Sequence, residues 1–230
     1  MSNKRAAADY NELQKPLYAD NGIFYHLINE NVKQGYACIF GPPDSPYEDC
    51  PMFYEITIGE TYPFDSPKVK FLTYDGKTRF HPNMYVEGKV CLSILGTWSG
   101  PAWASTMRIS TILVTLQSLM DKEPLRHEPG YEKVNTTIHI GYAKIVECAC
   151  IEYTLKLISK IKEKRAFDLF FIPFKEEFEN RIPRILERFE NRLRKLLEGG
   201  EANYSSLPYA MYGKTNYTVL LNKVLELKTS

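Results

Sequence analysis

One thiol in this chain stands among neighbours that could make it a nucleophile. His81-Pro82-Asn83 is a turn-like tripeptide, and Cys91 follows the asparagine by eight positions within Gly88-Lys89-Val90-Cys91-Leu92-Ser93-Ile94-Leu95. A cysteine thiolate is both a strong nucleophile and a good leaving group near neutral pH, so it can accept an acyl group as a thioester and give it up again. Attack on a thioester creates a tetrahedral oxyanion, to which a side-chain amide can donate a hydrogen bond. Asn83 could do that, or could bond backbone carbonyls and hold the loop; the residues alone leave both open. His81 and Pro82 read as structural, a restricted turn with the imidazole packed or bonded locally. A single cysteine is ordinarily a small buried residue, and a carrier sulfur must instead be reachable by an extended peptide tail.

The remaining cysteines do not compete for that role. Cys38, Cys50, Cys148 and Cys150 bring the total to five, an odd count without a C-x-x-C pair, so neither a disulfide framework nor a zinc site is indicated. Cys148 and Cys150 lie two apart on an expected helix and face different ways. His26, His127 and His139 lack ligand spacing. No metal or organic cofactor is expected. The balance of 29 basic against 28 acidic residues, net charge +1, argues against a nucleic-acid or membrane surface as main partner. Residues 1–9 contain no apolar signal core, and no apolar run reaches the length of a membrane span. The expectation is a soluble protein of a reducing compartment, cytoplasmic or nuclear.

The elements that must position Cys91 are legible in outline. Residues 2–13 read as a short helix stopped by Lys15-Pro16. Four strand-like runs follow at short intervals, residues 23–28, 36–40, 52–58 and 69–72, separated by Gly35, by Gly41-Pro42-Pro43-Asp44-Ser45-Pro46 and by Tyr62-Pro63-Phe64-Asp65-Ser66-Pro67. Such intervals favour an antiparallel meander over β-α-β units. Residues 73–104 show little regular pattern, and a long irregular stretch inside a compact domain is usually functional. Cys91 lies within it. Ile109, Ile112, Leu113, Leu116 and Met120 then mark a helix that should stop before Pro124. A second helix is expected over residues 132–162, with Ile138, Tyr142, Ile145, Val146, Ala149, Tyr153 and Leu157 inward. Phe167, Phe170, Phe171 and Phe174 read as core of an extension whose amphipathic helix runs from Lys175 to Gly199-Gly200, and a last helix falls near residues 217–227. Pro183 should kink the long helix or open a new one.

Several ordered segments resemble ubiquitin-conjugating enzymes. His81-Pro82-Asn83 with Cys91 resembles the active-site signature. Tyr62-Pro63-Phe64-Asp65-Ser66-Pro67-Lys68-Val69 is similar to the family's Tyr-Pro-x-x-Pro-Pro-x-Val segment, with Ser66 replacing a proline, and Gly41-Pro42 through Pro46-Tyr47-Glu48 is similar to its Gly-Pro…Thr-Pro-Tyr-Glu segment. The run Gly88–Trp103 and Glu128-Pro129-Gly130-Tyr131-Glu132 are most similar to the large, C-terminally extended Z-type members. The resemblance implies an α+β fold: a four-stranded antiparallel meander with an N-terminal helix and C-terminal helices. Residues 1–165 would form the conjugating core, and residues 166–230 a helical extension packed on or near it.

It also implies roles. Cys91 would receive ubiquitin or a ubiquitin-like modifier from an activating enzyme, the less common one if the Z-type likeness holds, and pass it to a lysine or a ligase cysteine. Asn83 matches the asparagine given the oxyanion role. Glu123 matches the acidic gate that orients and deprotonates the incoming lysine, where aspartate is commoner, and Ser93 occupies a position often acidic. Phe64, Pro101, Ala102 and Trp103 resemble the apolar patch that ligases recognise, and Lys4 and Arg5 the basic face that meets the activating enzyme. The helix after Thr106 would present its outer face to the donor ubiquitin. Two rivals remain: a non-catalytic variant that binds ubiquitin and scaffolds a partner, which usually lacks the cysteine, and a hydrolase pairing Cys91 with His127.

Overall fold

Apolar residues fill both phases of the alternation within residues 36–40 and 52–54, and the chain answers with a sheet covered on both sides. In a computed structural model that describes residues 2–133 and 136–229, four strands pair antiparallel in the order β1-β2-β3-β4: β1 (Ile23–Ile28), β2 (Asn31–Phe40), β3 (Pro51–Thr57) and β4 (Lys68–Phe71). Tyr25 lies opposite Ala37, Ala37 opposite Tyr54, and Tyr54 opposite Phe71, so these residues share a face. That face, with Ile23, Ile39, Met52 and Ile56, joins the larger hydrophobic cluster. The intervening residues Cys38, Phe40 and Phe53 join a second cluster on the other side. β2 begins earlier than its apolar run, because Asn31 pairs with Ile28 of β1 and Gln34 with Thr57 of β3 despite their polarity.

Helices α1 (Ser2–Leu13), α3 (Ile109–Leu119) and the first half of α4 (Thr136–Lys162) supply the larger cluster. Ile109, Ile112, Leu113 and Leu116 of α3 are wholly buried, as the 3.6-residue spacing requires. Val134 and Asn135, which the pattern places in the second helix, lie outside the described residues. Between α1 and β1 a five-residue helix α2 (Pro16–Asp20) has Lys15 as N-cap. Pro16 therefore starts a helix as well as ending one, since its fixed φ and missing N–H suit the first turn.

The second cluster joins the far side of the sheet to the rest of α4 and to α5 (Lys175–Glu198) and α6 (Tyr217–Thr229). Phe53 meets Phe170 at 5.2 Å and Phe171 and Phe174 at 5.8 Å between ring centroids. Offset and edge-on contacts of this kind add to the area they bury. The helix α5 runs through Pro183 without opening a new one. An interior proline costs about 3 kcal/mol, and burial of Phe178, Ile185, Leu186, Phe189 and Leu193, roughly 1.5–3 kcal/mol each, outweighs it. Between α5 and α6, two short strands, β5 (Asn203–Tyr204) and β6 (Gly213–Lys214), form a hairpin that no sequence pattern announced. Among the described residues no helix is long and apolar enough to cross a membrane.

Candidate active site

Residues 73–104 contain one regular turn, a 3₁₀ helix at Ser93–Leu95, and are otherwise shaped by single bonds. Gly88 adopts φ +95° and lies so close to β4 that a Cβ there would meet Phe71 O at 2.9 Å. Its carbonyl accepts Phe71 N–H at 2.8 Å, and its N–H donates to Tyr85 O at 2.9 Å. The chain thereby turns at residues 85–88 and brings Cys91 back beside Asn83. Cys91 N–H donates to Asn83 O at 2.9 Å, and Asn83 Nδ2 donates to Cys91 O at 2.7 Å. Asn83 grips the cysteine backbone at both of its polar groups. Of the two roles open to it, the loop-holding bond is the one made in this structure.

The turn beneath is equally tied. His81 is fully buried, and its Nδ1 accepts Asn83 N–H at 3.0 Å, which leaves the proton of the neutral ring on Nε2. Arg79 donates to His81 O at 3.1 Å and to Pro82 O at 2.7 Å, and Tyr47 Oη donates to Phe80 O at 2.6 Å. Burial, reinforced by the nearby His127, lowers the His81 pKa to about 3. The unfolded chain therefore takes up a proton near pH 6.5 that the folded chain refuses until about pH 3, and stability must fall as pH drops through that window. The expected loss from His81 alone is about 2 kcal/mol between about pH 7 and about pH 5. Urea midpoints at both pH values should show a flatter acid limb for His81→Asn, which retains an acceptor for Asn83 N–H.

Cys91 itself departs from expectation. It is 2% exposed, and the reading of a carrier required an accessible sulfur. It belongs to neither hydrophobic cluster, however, unlike Cys38, Cys50 and Cys150, and exposed residues 96–102 begin five positions on. Thr97 ties the backbone on either side of the cysteine: its hydroxyl donates to Val90 O at 2.7 Å and accepts Leu92 N–H at 3.0 Å, bridging the two neighbours of Cys91. An acyl group on this sulfur would need space that the loop in this conformation does not offer. Ser93 is half-buried and opens the 3₁₀ turn. Thr97 and Arg79 carry much of this geometry and were not singled out from sequence. Thr97 sat unremarked inside Gly96-Thr97-Trp98, and only its bonds give it a role.

Glu123 is exposed, and Arg126 Nε pairs with its Oε1 at 2.9 Å. A second acid nearby is more tightly held. Asp121 accepts His127 Nε2–H at 2.9 Å and Glu123 N–H at 2.8 Å, and although partial burial opposes it, these bonds keep the Asp121 carboxyl below its ordinary pKa. The His127 ring lies 5.2 Å from the His81 ring. His127 thus faces Asp121 and His81, and among the described residues no histidine hydrogen-bonds the Cys91 sulfur, as the hydrolase rival requires. Nor, among the described residues, could any group of three or more His, Cys, Asp or Glu side chains hold a metal ion.

The surface residues are sorted by the same bonds. Phe64 is 67% exposed, and Pro101 and Ala102 are exposed, whereas Trp103 is half-buried. Trp103 Nε1 donates to Pro63 O at 2.7 Å, so it ties the second loop to the first and leaves Phe64 outward. Lys4 is exposed on α1. Arg5 turns inward, donating to Met107 O at 2.6 Å and Ser105 O at 3.2 Å and pairing at 3.0 Å with the buried Asp9, which also accepts Tyr62 Oη–H and Arg108. Its guanidinium is committed to holding α1 against the start of α3.

Residues 5–144 match a family model described as ubiquitin-conjugating enzyme. The Homo sapiens protein named ubiquitin-conjugating enzyme E2 Z is 48% identical over 113 residues, 49% of this chain and 32% of that one. The Arabidopsis thaliana protein named probable ubiquitin-conjugating enzyme E2 25 is 33% identical over 181 residues, 73% of this chain and 29% of that one. The chain thus spans about a third of the length of the curated relatives it matches.

Proposed function

We propose, since the chain belongs to the ubiquitin-conjugating enzyme family and is similar to its Z-type members, that Cys91 accepts the carboxyl end of ubiquitin or a ubiquitin-like modifier as a thioester and hands it on. The double grip of Asn83 on Cys91 carries this reading: an irregular segment is tied down at the backbone of one cysteine by its asparagine. In loading, the Cys91 thiolate attacks the acyl carbon held on an activating enzyme's thiol, and that thiol leaves with the electron pair. In transfer, a lysine amine or a ligase thiolate attacks the new thioester, and the Cys91 thiolate leaves. Asn83 Nδ2 has two hydrogens, of which Cys91 O takes one, and the other is available to the oxyanion.

A lysine acceptor has a reference pKa near 10.4 and must shed a proton. In this reading Glu123 orients and receives it, after giving up its contact with Arg126. Phe64, Pro101 and Ala102, steadied by Trp103, meet a ligase, and Lys4 meets the activating enzyme. Residues 1–165 act as the conjugating unit, in a reducing cytoplasmic or nuclear compartment that keeps the thiol free, and residues 166–230 act as its extension. No cofactor enters the chemistry.

Incubation with activating enzyme, ubiquitin and ATP should add one ubiquitin mass, removable by thiols. An unmodified chain that instead cleaves a ubiquitin fusion would transfer the assignment to hydrolysis. Loading by the less common activating enzyme is expected, and loading only by the common one rejects that part of the proposal.

A further inference from the structure

Arg79 is a buried cation without a carboxylate. It is 9% exposed, its hydrogen bonds go to the His81 and Pro82 carbonyls, and among the described residues no acid pairs with it. A guanidinium out of water needs compensation from elsewhere. Two aromatic faces provide it: the Tyr85 ring centroid lies 3.3 Å from Arg79 Cζ and the Tyr209 centroid 4.9 Å. Tyr85 opens the turn at residues 85–88 that returns the chain to Cys91. Tyr209 belongs to the C-terminal extension, beyond the residues that match the family model.

The backbone bends to bring Tyr209 there. Tyr209 has φ 62° and ψ 29°, and Ala210 has φ 55°, two successive non-glycine residues in the left-handed region. That conformation costs free energy and persists only where surrounding contacts over-determine it. Those contacts converge on the site. Tyr209 Oη donates to Glu128 Oε2 at 2.7 Å, its ring meets Tyr142 edge-on at 6.0 Å, and Tyr142 Oη donates to Arg79 O at 2.6 Å.

We propose that Tyr209 is a positioning residue for the Cys91 loop. Its ring stabilises the Arg79 cation, Arg79 fixes the carbonyls of His81 and Pro82, and the next residue, Asn83, holds Cys91 through both backbone groups. The extension thus sets how ordered the loop is, and a partner that displaced residues 208–210 would loosen it. The consequence for transfer rests on the reading of Cys91 as carrier; the coupling itself does not.

Tyr209→Gly removes the ring at a position whose φ glycine adopts freely, so the fold is spared. Two readouts separate the questions. The first is iodoacetamide alkylation of the uncharged chain, followed by mass spectrometry, with Cys148 as internal reference. Cys148 is half-buried on α4 and lines one cavity with residues 210–213, so loosening of the extension or of the whole fold raises its rate too, whereas loss of positioning raises Cys91 above it. Tyr209→Gly should speed Cys91 alkylation about tenfold relative to Cys148, and Tyr209→Phe should return it to within about threefold of the parent. Arg79→Ala should reproduce the Tyr209→Gly effect, and the double variant should add nothing to it. The second readout is release of a preformed thioester to free lysine, about tenfold slower in Tyr209→Gly. Equal alkylation ratios in parent and Tyr209→Gly, or effects of Arg79→Ala and Tyr209→Gly that multiply, would overturn the coupling. A parent chain that never charges would overturn the carrier reading, while the alkylation series would still decide the coupling.

Discussion

Cys91→Ser is expected to turn a thiol-labile ubiquitin adduct into one that survives reducing agent, and to slow its release to an amine by roughly 10³-fold or more. The reason lies in the leaving group. A serine alkoxide is far more basic than a thiolate, so the oxygen ester forms slowly and then persists. Cys91→Ala should abolish the adduct altogether. Gel analysis with and without thiol checks both variants, and a thiol-labile adduct persisting in Cys91→Ala would refute the account.

Arg192→Ala is expected to cost about 3–5 kcal/mol, read from urea midpoints, because it strands a buried acid. Arg192 Nε bonds Glu147, whose side chain is 8% exposed; its other nitrogens reach Glu48 Oε2 at 2.9 Å and Ser45 O at 2.7 Å. Arg188 adds Glu48 at 3.3 Å and Asp49 at 3.2 Å. These pairs fasten α5 to the loop after β2 and to α4. Burial raises the Glu147 pKa and Arg192 opposes the shift. Without Arg192 the acid is pushed up further, so the folded chain binds a proton that the unfolded chain releases. The variant should therefore recover stability as pH falls toward 5, and Glu147→Gln should rescue part of the loss. Arg194→Ala is the control: its pair with Glu190 is solvent-exposed, and the midpoint should not move measurably.

Sequence pattern served well where a period repeats. The β-branched and aromatic runs at residues 23–28, 36–40, 52–58 and 69–72, set off by Gly and Pro, located all four strands, and the 3.6-residue spacing of Ile109, Ile112, Leu113 and Leu116 located α3, because burial follows directly from that period. The partnership of Asn83 with Cys91 was legible from spacing and resemblance. What stayed hidden depends on contacts between residues far apart in sequence. The inward turn of Arg5 is set by a buried carboxylate and by carbonyls about a hundred positions away. Trp103 packs on Pro63 rather than standing free, and Tyr209 reaches Arg79 only through two left-handed residues that no local propensity favours. Thr97 stayed hidden for a different reason: it bonds residues only five and seven positions away, but through a hydroxyl in a segment without periodicity.

Exposure and the proposed chemistry point to different sulfurs. Cys148 is the more exposed thiol, half-buried with its pKa pushed up to about 12 by burial, whereas Cys91 is 2% exposed but held by Asn83. Peptide mapping of the wild-type adduct under non-reducing conditions decides between them. The account predicts the ubiquitin C-terminal remnant on residue 91, and a remnant on Cys148, or on a lysine with Cys91 unmodified, would contradict it.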